Sequence, residues 1–91
     1  MSTAATASVA AALVDEFRTE HLGKTDAAQQ RAFVDGIVAT GGFRLLTDVL
    51  AVSTKDHALD DLTRHCSDCL HDAIAGKQPA ELRAMLFGRG L

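Results

Sequence analysis

The chain has 91 residues, of which 47% are hydrophobic and 23% charged, with a formal charge of −3. That describes one modest domain, able to hide about 60–65% of the surface its unfolded form exposes, too apolar to be disordered and too acidic to live on nucleic acid. Trp and Tyr are absent and Ala is abundant, a mix that suits helices and starves strands, which prefer β-branched and aromatic side chains.

The first helix is predicted over 4–22. Val9, Leu13, Phe17 and His21 recur every four residues, with Ala10 and Val14 beside them. This is an apolar stripe at helical spacing, and Asp15, Glu16, Arg18 and Glu20 fall mostly on the other side. Gly23 stands where a helix C-terminus wants a left-handed residue. A second helix, over 27–40, opens on Asp26-Ala27-Ala28-Gln29, the pattern of a capping box. Its stripe is Ala27, Gln30, Val34, Ile37 and Val38, with Phe33 at the edge. Gly36 costs this helix about 1 kcal/mol relative to Ala and marks a place where a neighbouring helix could come close. Gly41-Gly42 ends it.

A third helix, over 43–52, carries Leu45, Leu46, Val49 and Leu50, and Ser53-Thr54 offers an N-cap for the next. The fourth, over 55–75, is expected to be the longest, with Leu59, Leu62, Cys66, Cys69 and Ala73 as its stripe, Leu70 and Ile74 alongside, and Gly76 closing it. Pro79 suits a first-turn position and Glu81 the positive end of a helix over 79–87, which presents Leu82, Met85 and Leu86. The expected fold is all-α: one domain, a compact bundle of four to five helices with short connections. Ala-rich stripes bury little area, at roughly 25 cal/mol per Å², so either the helices pack unusually close or, the favoured expectation, part of the apolar surface is completed by another chain.

Gly41-Gly42-Phe43-Arg44-Leu45-Leu46-Thr47-Asp48-Val49-Leu50 resembles the opening of the second helix of an armadillo repeat, and Cys69-Leu70-His71-Asp72-Ala73-Ile74-Ala75-Gly76 is similar to the end of its third. The likeness covers under half the chain. It implies local helix packing of that kind, because a solenoid buries its core only with about three stacked repeats.

The apolar N-terminal run has no Lys or Arg before it and stops at Asp15-Glu16, so it is read as neither a signal peptide nor a membrane span, and no other segment is expected to reach the span of about 20 apolar residues. Two cysteines three residues apart, Cys66 and Cys69, suit a reducing cytoplasm rather than a disulfide framework.

The densest reactive group is His57, Asp61, His65, Cys66, Asp68, Cys69, His71 and Asp72. On one helix, His57, Asp61, His65, Cys69 and Asp72 share a ridge. His65 and Cys69, one turn apart, could chelate zinc, with Cys66, Asp72 or His21 completing the set. The competing reading places both thiols in the apolar stripe as small hydrophobes. Cys66-Ser67-Asp68-Cys69 is a CxxC in mid-helix, away from the helix N-terminus that activates redox thiols. Haem attachment is excluded because Leu70, not His, follows Cys69. A cysteine nucleophile would need a cleft and an oxyanion hole. Helix, Gly-Gly turn, helix over 32–50 imitates a helix-turn-helix, but Phe43–Leu50 has too few polar side chains to read base edges, and the nine Lys and Arg are scattered.

The exclusions leave a non-enzymatic regulator or adaptor, with no cofactor, that binds another protein through an apolar helix face, as a homodimer and away from nucleic acid and membranes. Val9, Leu13, Phe17, Met85, Leu86 and Phe87 are the expected contact residues, since Met and aromatic side chains are enriched at interface cores. The alternative is a zinc-binding regulator using His65 and Cys69.

Overall fold

The structure, a computed structural model, describes residues 3–87, and side chains over 9–84. In chain order they form α1 (Thr3–Glu20), α2 (Ala27–Ser53), a 3₁₀ turn (His57–Leu59), α3 (Asp60–Ile74) and α4 (Pro79–Phe87), with no strand among the described residues. The fold is a small all-α bundle.

Each junction has a local cause. The N–H groups of His21 and Leu22 both donate to the Phe17 carbonyl at 2.9 Å, and Gly23, at φ 70°, turns the chain away. Asp26 then caps α2: its carboxylate accepts from the Gln29 N–H at 2.8 Å, and the Gln29 side chain accepts from the Asp26 N–H at 3.0 Å. This is the capping box the sequence announces.

The expected stop at Gly41-Gly42 is a kink rather than an end. Gly42 alone leaves helical angles (φ 71°, ψ −172°) and the chain resumes at once, so the helices expected over 27–40 and 43–52 are one bent element. Gly42 supplies the left-handed angle. Gly41 supplies room, since a Cβ there would come within 2.7 Å of the Leu45 Cβ.

The helix expected over 55–75 begins later and is not the longest; α2 has 27 residues and α3 has 15. Ser53 belongs to α2. It is buried, with its hydroxyl 2.8 Å from that of Thr63. The cap is Asp56, which accepts from the Ala58 N–H at 3.0 Å and draws 57–59 into the tighter turn. Arg18 reaches the same carboxylate at 3.0 Å and ties α1 to this junction.

The core joins Ala10, Val14 and Phe17 of α1, Val34, Ile37, Leu45, Leu46 and Val49 of α2, Leu59, and Leu62, Cys66 and Cys69 of α3. α2 is the shared wall: α1 and α3 both pack on it, and α4 leans on it more lightly. By length and composition α2 could also cross a membrane, with a mean hydropathy of 1.3. That corrects the expectation that no segment comes close. Taking Gly41-Gly42 as an end cut the apolar run in two.

Candidate functional site

The inner face of α3 carries the expected reactive residues. Leu62, His65, Cys66 and Cys69 follow steps of three, one and three, which place them on one side of a helix turning 100° per residue. His65 is only 8% exposed, and its Nε2 lies 3.1 Å from Gln30 Oε1 on α2. The Gln30 amide nitrogen donates to the carbonyls of Thr25 (3.2 Å) and His21 (3.5 Å). Carbonyls only accept, so the Gln30 oxygen must face His65, and His65 Nε2 must carry the proton. One glutamine thus joins the end of α1, the following turn, α2 and α3.

Cys66 is sealed in the core, and burial, reinforced by Cys69, pushes its thiol up to about 12. Cys69 donates to the Asp35 carboxylate at 3.6 Å, and burial chiefly raises it too, with Arg31 opposing and Asp35 adding. Arg31 bonds Asp35 at 3.1 Å and Asp72 at 3.2 Å, bridging α2 to α3. Reactive and metal-binding cysteines act as thiolates, the form that burial disfavours at both positions.

The expected ridge is broken up. His57 is exposed and lies in the 3₁₀ turn, ahead of the helix. Asp72 is exposed and engaged by Arg31, while His65 and Cys69 turn inward. The His21 ring lies against Phe33, with centroids 4.8 Å apart, and Phe17, at 5.7 Å, and its Nδ1 is 3.2 Å from the Thr25 hydroxyl. Among the described residues, no three His, Cys, Asp or Glu side chains come together as a metal site.

The outer side of the α1–α2 hairpin offers a different feature. Leu13 and Glu16 of α1 face Phe33, Gly36, Ile37 and Thr40 of α2 across an open groove of about 320 Å³. Leu13 and Phe33 are half-buried, and Val9, one turn before Leu13, is 46% exposed. A Cβ on Gly36 would meet nothing within 4 Å. Among the described residues no helix makes the close approach expected at Gly36, and the space there is open.

Of the expected contact residues, Val9 and Leu13 lie along this side. Phe17 does not: it is fully buried, because the core-facing stripe of α1 is Ala10, Val14 and Phe17. The side chains of Met85, Leu86 and Phe87 lie outside the described residues. Sequence reading missed Glu16, Phe33 and Thr40 as groove residues; Gly36 in mid-helix was the one signal pointing there. No family model, curated protein or solved structure matches the chain, so the armadillo-like stretches bring no family with them.

Proposed function

We propose that this chain is a small non-enzymatic protein-binding module, a regulator or adaptor, that receives a helix of another protein in the α1–α2 groove. The observation that carries the reading is the open space over Gly36, walled by half-buried Leu13 and Phe33. Apolar side chains flanking a glycine let a second backbone come close, the arrangement that helix-in-groove recognition uses. The groove lining offers a hydroxyl and a carboxylate but no thiol or imidazole, and both thiols sit in the core as neutral packing groups, which favours binding over catalysis. Two unpaired core thiols suit a reducing cytoplasm.

Gly36→Leu is the direct test. It fills the groove at a helical position with open space around it, so the protein is expected to stay folded. Partners captured by the wild-type chain and lost by Gly36→Leu support the reading; capture indifferent to Gly36 overturns it. The expected homodimer concerns the same face. Light scattering at micromolar concentration decides it: a dimer that Gly36→Leu dissociates assigns the groove to a second copy. The zinc reading requires His65 to bind through its other ring nitrogen and Cys69 to lose its proton beside Asp35. Metal analysis of protein purified without chelator tests it, with stoichiometric zinc lost on His65→Ala and Cys69→Ser as the supporting result.

A further inference from the structure

We propose that the helix received by this groove is cationic and amphipathic, with Lys or Arg beside its apolar stripe; the inference rests on the docking reading above. Charge in this part of the molecule is sorted by side. Arg18 is drawn to Asp15 and Asp56, at 2.9 and 3.0 Å. Arg31 is drawn to Asp35 and Asp72, toward α3. Lys24 folds back onto the Thr19 carbonyl at 2.6 Å. What lines the groove is Glu16, with exposed Glu20 one turn further along the same side of α1. Neither has an ion-pair partner among the described residues.

The walls explain why a helix suits the space. Exposed Ala32 precedes Gly36 by one turn and Thr40 follows it by one turn, so small side chains run along the α2 wall. A helix can settle close to that wall, place its apolar stripe against Leu13 and Phe33, and bring a flanking cation to Glu16. A second copy using this face would bring Glu16 and Glu20 again with no cation from the groove lining, and like charges would meet.

The test uses the full chain and two synthetic helical peptides of about 18 residues with the same Leu stripe, one carrying Lys and the other Glu at the remaining charged positions. Fluorescence anisotropy measures binding at low and high salt. The Lys peptide is expected to bind at least about tenfold tighter than the Glu peptide at low salt, with the difference shrinking as salt rises. Glu16→Lys with Glu20→Lys should abolish or reverse that preference. Asp68→Lys on exposed α3 should leave it in place, although it too makes the net charge more positive. Gly36→Leu should remove binding of either peptide. Equal, Gly36-dependent binding of both peptides overturns the charge inference and leaves the docking reading standing. Binding of neither, or binding that Gly36→Leu does not change, overturns both. A dimer dissociated by Gly36→Leu gives the groove to a second copy and also overturns the inference.

Discussion

Gly36 has helical angles and open space around it, so an Ala there meets nothing and restricts only the unfolded chain. Gly36→Ala is expected to raise stability by about 0.5–1 kcal/mol. Gly42 holds φ 71°, where a Cβ is strained whatever the space, and Gly42→Ala should cost about 1–2 kcal/mol. Urea denaturation of the two variants reads both signs; a Gly42→Ala protein as stable as wild type would mean the kink does not need its glycine. Gln30→Ala removes the acceptor for His65 and the donor for two carbonyls, and should cost about 1–3 kcal/mol by the same measurement. Cys66 sets an alkaline limit. Its thiol ordinarily titrates at 9.0 and in the fold at about 12. Between those values the unfolded chain releases a proton that the folded chain keeps, so the contribution is complete below pH 9.0 and is lost progressively up to about 12. Cys66→Ala should flatten this alkaline fall in stability while lowering stability at pH 7; an unchanged slope would contradict the assignment.

At the scale of the elements, the helices were largely legible because polar caps and apolar periodicity agree. The capping box at Asp26 and Gln29 could be read directly from the sequence, and Asp26→Ala is expected to cost about 1 kcal/mol, seen as a lower thermal midpoint. The junction over 54–60 was not legible. Lys55, Asp56, His57 and Ala58 fit the polar side of a helix equally well, and only the bond from Ala58 N–H to the Asp56 carboxylate selects the tighter turn. The face of α1 was misread for a geometric reason. A spacing of four residues overshoots one turn by about 40°, so Val9, Leu13, Phe17 and His21 drift around the helix. Steps of four and three stay together, and Ala10, Val14 and Phe17 are the residues that enter the core.

For the whole molecule, the all-α class followed from composition, but the groove did not, because a groove belongs to two helices and periodicity reads one at a time. The pairing of Leu13 with Phe33 and Gly36 depends on how α1 lies on α2. The same limit hid the seam in which Gln30 meets His65 and Arg31 meets Asp72, residues from separate helices. Of the two, the exposed Arg31–Asp72 ion pair adds little by itself, about 0–1 kcal/mol. Cohesion comes from α2, whose inner residues are shared by the packing of α1 and α3.

The attachment of α4 has a practical outcome. Ala75 to Gln78 are exposed, and from Pro79 to Ala84 only Leu82 is even partly covered. The joint therefore invites trypsin after Lys77, ahead of Lys24, whose side chain is bonded to Thr19, of Lys55, which an acidic residue follows, and of Arg18, Arg31, Arg44 and Arg64, which lie within helices. Brief digestion read by mass spectrometry should yield a durable fragment ending at Lys77, trimmed of its last helix while the three-helix remainder stays intact.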